Sequence, residues 1–368
     1  MLYREAGQFR TSYAADQQLF PIRQDRIGMA ILLAVVFVGV PLAAATPAIA
    51  GAIDFNYWFS GVLIPFLIFS LAALGLNILT GYAGQLSLGT AAFMAVGAFA
   101  AYNLELRVPG IPMLASFILA GVIAALIGIV FGLPSLRIKG FYLAVATLAA
   151  QFFVVWALTK FGWLSNYSSS GVITAQKLVV FGYAVDTPVE RYLLVLAIVS
   201  VMALAAKNMV RSSIGRAWMA VRDMDVAAEV VGIPMMKTKL LAFAISSFYC
   251  GVAGALYAFA YLGTVEPAGF ELELSFRILF MIIVGGVGSI LGSFLGAAFI
   301  VLLPIFMDLS AASIERSFGF ALPAGLVSNL TLILFGALII FFLVVEPLGL
   351  ARLWQIAKEK LRLWPFPH

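Results

Sequence analysis

The residues able to do chemistry in this chain are few, and most are neutral hydrogen-bonding groups in apolar surroundings. Asn77, Gln85 and Ser87 lie among glycines at 81, 84 and 89 in the run Gly75-Leu76-Asn77-Ile78-Leu79-Thr80-Gly81-Tyr82-Ala83-Gly84-Gln85-Leu86-Ser87-Leu88-Gly89. Polar amides are costly in lipid, so these are expected to face a cavity or the interior of a helical bundle. The alternative is a tight helix turn packed through small residues. Thr147 and Gln151 are four apart and share one helix face. Such a face reads either as a helix contact or as a ligand to a solute. Ser246 and Ser247 form a third polar spot in an apolar run. Together these seven are the candidate wall of a polar path, offering weak hydrogen bonds and no fixed charge deep inside.

Catalysis finds no support in the composition. Cys250 is the single cysteine and His368 the single histidine, so no disulfide, thiolate cluster or histidine-based metal or acid–base site can be assembled. No G-x-x-x-x-G-K-[ST] phosphate loop occurs, so the chain does not cradle ATP in the usual way. No nucleophile stands with a base. The expectation is a non-enzyme without cofactor or metal.

Charge concentrates in one place. Between Lys207 and Lys239 lie six basic residues and three acids, with the run Gly215-Arg216-Ala217-Trp218-Met219-Ala220-Val221-Arg222-Asp223. This reads as a short helix from Gly215 to Asp223, then a second from Asp225 as N-cap through Glu229, ended by Gly232 and Pro234. One reading is an amphipathic hairpin lying on the membrane. The other is a knob docking into a cytosolic partner, with Ala217 and Ala220 small enough for close contact and Arg216 and Arg222 available to acidic groups.

The elements that carry these residues are membrane spans. Of 368 residues 63% are hydrophobic and 11% charged, with mean hydropathy +1.08, which defines an all-α polytopic membrane protein. Long uninterrupted apolar runs exclude a β-barrel. Stretches able to cross fall near 28–49, 58–80, 85–103, 113–133, 140–160, 191–206, 240–262, 275–306 and 325–345. With the N-terminus in the cytoplasm, sixteen of the 22 basic residues lie inside, counting Arg137 and Lys139 in the 134–140 turn. The remaining six (Arg107, Lys160, Lys177, Arg191, Arg277 and Arg316) sit outside or at span ends, so the positive-inside rule selects this orientation and explains the +5 net charge without nucleic acid.

Parity then requires residues 275–306 to enter and return, turning at Gly285-Gly286-Val287-Gly288-Ser289 as two short spans or a re-entrant hairpin, in the bundle interior where irregular backbone is tolerated. About nine to ten transmembrane helices result. The expected organisation is an N-tail at 1–27, a membrane domain at 28–350 containing the 207–239 loop, and a C-tail at 351–368. Ala48-Ile49-Ala50 also resembles a signal-peptidase site, but the polar tail ahead of the apolar run is long for a signal peptide, and retention as a first span is preferred.

The motifs in order, Ala73-Leu74-Gly75-Leu76-Asn77 with Gly84-Gln85-Leu86-Ser87-Leu88-Gly89, Leu136-Arg137 with Gly140-Phe141-Tyr142-Leu143-Ala144, Ser213-Ile214-Gly215-Arg216-Ala217-Trp218, and Val284-Gly285-Gly286-Val287-Gly288-Ser289, resemble the permease subunits of branched-chain amino acid ABC importers over roughly residues 60–350. Glu346-Pro347-Leu348-Gly349-Leu350 is similar to the C-terminal signature of the longer of the two paired permeases. The resemblance implies a bacterial inner-membrane importer: a second homologous permease, two cytoplasmic ATPases, a periplasmic binding protein, surrounding membrane lipid, and coupling through 215–232, moved as a rigid body so as to tilt the spans at 191–206 and 240–262. Asn166-Tyr167-Ser168-Ser169-Ser170-Gly171 departs from the Thr-Gly-Gly type run of many relatives, which leaves the cargo open among branched-chain and other amino acids, urea or an aromatic acid. The alternative class, a secondary transporter, would show paired halves and intramembrane acids. Only a faint likeness joins 81–93 to 286–299, with no acid in either.

Overall fold

The computed structural model describes Ser12 and residues 23–46, 54–133, 141–168, 172–180, 182–318, 325–346 and 348–363. The expected turn at Arg137 and Lys139, the Ala48-Ile49-Ala50 site and residues 169–171 lie outside them.

Each predicted apolar stretch carries a helix over most of its described residues, with residues 85–89 and 286–289 non-helical. In chain order the helices are α1 (Asp25–Ala45), α2 (Phe55–Tyr82), α3 (Thr90–Arg107), α4 (Met113–Gly132), α5 (Phe141–Lys160), α6 (Pro188–Arg211), α7 (Ser213–Asp223), α8 (Asp225–Val230), α9 (Met235–Leu262), α10 (Leu272–Gly285), α11 (Ile290–Phe318), α12 (Leu326–Val345) and α13 (Gly349–Leu363). Among the described residues seven helices are individually long and apolar enough to cross, or eight if α12 and α13, bent by 59°, count as one span. This is fewer than the nine to ten expected, for local reasons. Asn103, Glu105 and Arg107 make the end of α3 polar. The 14 residues of α10 reach only about 21 Å, short of a ~30 Å hydrocarbon core.

The stretch at 275–306 is therefore a hairpin of one short and one long helix. Its arms pack backbone to backbone, with Gly285 of α10 against Gly292 of α11 and Gly296 against the Met281 carbonyl, leaving no room for a Cβ. The same device builds the centre. Gly97 of α3 meets the Gly251 carbonyl of α9, and Gly254 meets the Met94 carbonyl of α3. Lipid tails are as apolar as leucine, so small residues that let backbones approach closely supply the packing.

α2 is the axis of the bundle, 89% buried over its most apolar window, with α6, α9, α10 and α11 around it. α1 stands at the periphery, with nothing in its window buried, and is tied in by Tyr192 Oη of α6, which donates to the Val36 carbonyl at 3.0 Å. Four two-residue strands lie at one end of the bundle: β1 (Ile173–Thr174), β2 (Val179–Val180), β3 (Tyr183–Ala184) and β4 (Thr264–Val265), with β1 pairing β4 and β2 pairing β3, both antiparallel. The α7–α8 hairpin, the 83–89 loop, the 286–289 turn and the start of α13 gather at the other.

The polar hairpin forms two short helices as expected, with small shifts at its ends. Ser212 caps α7, accepting from Ile214 N at 3.2 Å, so the helix begins two residues before Gly215. The N-cap of α8 is Met224 rather than Asp225, whose carboxylate instead accepts from Val226 N within the first turn. Gly232 follows α8 at φ 93°.

Candidate functional site

Two breaks in the helical backbone meet inside the bundle. The first follows α2, whose last turn widens to a π-helix at Ile78–Tyr82 before the chain runs irregularly to α3. The second is the turn Gly286-Val287-Gly288-Ser289. Gly286 has φ 119° and Gly288 φ 81°, a region open to glycine at little cost. Gly81 of the first break lies so close to Gly288 of the second that a Cβ on it would collide with the Gly288 backbone.

Asn77 joins them. Its amide nitrogen donates to the Ser289 carbonyl at 2.7 Å and to Ser293 Oγ at 2.9 Å, while its oxygen accepts from Gly288 N at 2.8 Å. All of its main hydrogen-bonding capacity goes to the turn.

The N-terminus of α3 is buried, and the first N–H groups of a helix have no partner within it. Side chains supply them, three of the four from distant elements. Leu88 N donates to Thr147 Oγ1 at 2.9 Å, Gly89 N to Ser87 Oγ at 3.3 Å, Ala91 N to Ser275 Oγ at 2.9 Å, and Ala92 N to Gln151 Oε1 at 2.6 Å. Gln151 Nε2 donates in turn to the Phe270 carbonyl at 2.8 Å. The shared face of Thr147 and Gln151 on α5 thus holds the start of α3 in place.

Two candidate wall residues retain free polarity. Neither Nε2 nor Oε1 of Gln85 has a partner, although the residue is only 5% exposed, and the buried Ser247 Oγ is likewise unpaired, facing Gly128 of α4. Ser246 is buried where its carbonyl closes on Gly75 of α2.

The hairpin is joined to the breaks by a residue expected to face outward. Arg222 Nη1 donates to the Gly81 carbonyl at 2.8 Å, while its guanidinium pairs with Asp223 at 2.8 Å. A Cβ on Gly84 would come 2.8 Å from Arg222 Cγ, so the loop lies directly on this side chain. Trp218 is fully buried and donates to the Thr238 carbonyl at 3.1 Å, and Gly215 is pressed against the Val210 carbonyl. These contacts seat α7 on the ends of α6 and α9. Arg216 is exposed and donates to the Arg211 carbonyl at 3.1 Å, Ala217 and Ala220 are half-buried, and Glu229 is exposed.

The 286–289 turn also abuts the C-terminal segment. A Cβ on Gly286 would come 2.6 Å from the Leu348 carbonyl, just ahead of α13, and Lys358 of α13 pairs with Asp25 of α1 at 2.6 Å.

Three features were not anticipated. Ser275 and Ser293 are buried partners at the two breaks, but a lone serine in an apolar helix carries no signal that could have found them. The hairpin tip exposes Met224, Val226, Val230 and Val231, the last two at 82%, and this apolar cluster was readable from Asp225 onward. Arg277, taken as an outer span end, instead lies over the Phe69 ring of α2, 5.4 Å from its centre. Phe69 is midway along α2, so a half-buried charge stands beside the axis of the bundle. α10 is a half-length helix entered through the turn Pro267–Phe270, in which Phe270 is buried while Ala268 and the following Glu271 and Glu273 are exposed.

A family model described as "Branched-chain amino acid transport system / permease component" matches residues 58–343. The chain is 28% identical over 307 residues to the high-affinity branched-chain amino acid transport system permease protein LivM of Escherichia coli, covering 77% of this chain and 68% of that one. It is 25% identical over 324 residues to the probable branched-chain amino acid transport permease protein LivM of Methanocaldococcus jannaschii, covering 79% and 92%. A shorter match, 34% over 95 residues and 24% and 27% of the two chains, joins it to the autoinducer 2 import system permease protein LsrC of Klebsiella pneumoniae. No solved structure matches the chain.

Proposed function

The chain belongs to the permease family of branched-chain amino acid transport systems, and from that premise we propose that it is the longer, LivM-type permease of an ATP-driven importer of branched-chain or related amino acids. It forms the path with a second, homologous permease. Two ATPases act at the end carrying α7 and α8, and a periplasmic binding protein delivers cargo at the end carrying β1–β4. Both termini lie in the cytoplasm, in keeping with the distribution of basic residues. Residues 28–350 are the membrane domain, flanked by tails at 1–27 and 351–368. No cofactor is required of this subunit.

The observation that carries the coupling reading is the bond from Arg222 to the Gly81 carbonyl. A partner that grips the apolar tip at Val226, Val230 and Val231 moves a hairpin whose inner side is already attached to the first break. Exposed apolar clusters on a polar segment mark interaction surfaces. Movement of the hairpin therefore reaches Gly81 directly and, through the Gly81–Gly288 contact and Asn77, the second break. Tilting of α6 and α9 accompanies this through Gly215 and Trp218. Within the path, Gln85 and Ser247 offer free polarity, while Asn77, Ser87, Thr147, Gln151 and Ser246 shape its walls.

Two variants test this in the reconstituted complex. Val230→Asp is expected to lower ATPase recovery in a detergent pull-down. Arg222→Met is expected to keep recovery and ATP hydrolysis but lose about tenfold in uptake, consistent with loss of one charge-assisted hydrogen bond. A reporter fused after Lys207 is expected to report cytoplasm. Wild-type recovery and uptake in both variants, or a periplasmic signal at Lys207, overturns the assignment.

A further inference from the structure

We propose that Arg277 is the carboxylate-binding residue of the path, taking the carboxylate of an amino acid in transit while the rings of Phe69 and Tyr257 receive its side chain. This rests on reading the chain as an amino acid permease and names the residue that recognises the charged end of the cargo.

Depth is the first argument. Phe69 stands 14 residues after Phe55 in a helix ending at Tyr82, about 21 Å along it at 1.5 Å per residue. The guanidinium over its ring therefore stands beside the buried axis of the bundle. Charged residues at such depth face a bundle interior or a water-filled route and pair with a partner.

Arg277 Nε is buried without a hydrogen bond, and among the described residues no carboxylate forms an ion pair with Arg277. The attraction to Phe69 offsets only part of the desolvation of a guanidinium. An arginine in this condition presents donors in the fork geometry that matches a carboxylate.

Aromatic rings stand beside the guanidinium. Phe69 and Tyr257 lie 5.5 Å apart between ring centres, and the fully buried Phe270 lies 5.6 Å from Tyr257, so packed aromatic rings line the bundle beside the cation. Arg277 lies two residues after Ser275, whose hydroxyl accepts from Ala91 N at the start of α3.

The test uses the full complex, with permeases, ATPases and binding protein, in vesicles supplied with leucine. Arg277→Gln is expected to lower leucine uptake about 10- to 100-fold, with ATPase recovery kept, and Arg277→Lys to restore part of it. In Arg277→Cys, a thiol reagent that leaves an ethylammonium adduct should restore uptake where a neutral methyl adduct does not. Leucine-loaded binding protein should slow that labelling, and the fully buried Cys250 leaves the wild type as an unlabelled control. Wild-type uptake in Arg277→Gln, or labelling indifferent to leucine, overturns the assignment and leaves Arg277 a packing cation. Absence of leucine uptake by the wild-type complex would instead remove the permease reading and this assignment with it.

Discussion

The two breaks at the centre of the molecule look alike in sequence and are held in opposite ways. Both are glycine-rich, both end one helix and begin another, and they touch at Gly81 and Gly288. At the first, the N–H groups opening α3 are satisfied largely by side chains far away in sequence, Thr147 and Gln151 on α5 and Ser275 on α10. At the second, Ser289 serves its own helix, accepting from Gly292 N at 3.1 Å through Oγ and from Ser293 N at 3.2 Å through its carbonyl. Asn77 is the side chain that reaches in from elsewhere. The first break is thus a joint whose geometry the whole bundle determines, while the second is a local motif docked as a unit. Under the proposed coupling, motion delivered through Arg222 would act on the joint and pass to a motif that holds its own caps.

The largest effect is expected from the docked motif's backbone. Gly286→Leu with Gly288→Leu forces side chains into φ values of 119° and 81° and sets one against the Leu348 carbonyl. Uptake in membrane vesicles should be abolished. Normal uptake in that double variant would show that the turn is not tightly packed.

A smaller, global effect is expected at the joint. Gln151→Leu leaves Ala92 N and the Phe270 carbonyl buried without their partner, at about 1–3 kcal/mol for each group. The thermal unfolding midpoint of the purified protein should fall by several degrees. An unchanged midpoint would mean that the α3 terminus does not depend on α5, and the contrast between the breaks would collapse.

The smallest effect belongs to the local cap. Ser289→Ala removes one side-chain acceptor at the start of α11, costing about 1 kcal/mol. Its shift in midpoint should be clearly less than that of Gln151→Leu. The reverse order would make the second break the more dependent of the two.

Much of this arrangement was legible before any coordinates. The polar residues at 77, 85, 87, 147 and 151 were identifiable because an amide or hydroxyl inside a bilayer protein needs a partner. Whether that partner is a solute or a backbone N–H was not, since spacing along one helix says nothing about which helix end lies opposite. Asn77 and Gln151 turned out to serve backbone, and Gln85 stayed unpaired. Arg222 was recognised as a polar member of the hairpin, but its direction depends on how α7 rotates when Trp218 is buried.

By itself the sequence determined the membrane class, the positions of the helices, the two-helix polar hairpin and, through parity, the return of the chain near Gly286. These are local properties, sums over apolar runs and the conformational freedom of particular residues. Tertiary structure alone decided that α2 is the buried axis and α1 the periphery, that α10 is a half-length helix, and that Arg277 lies over the Phe69 ring of α2. The physical reason is that lipid and protein interior are equally apolar: hydropathy marks a helix as a span without saying what surrounds it. Close packing through glycines and the pairing of buried polar groups then choose its neighbours.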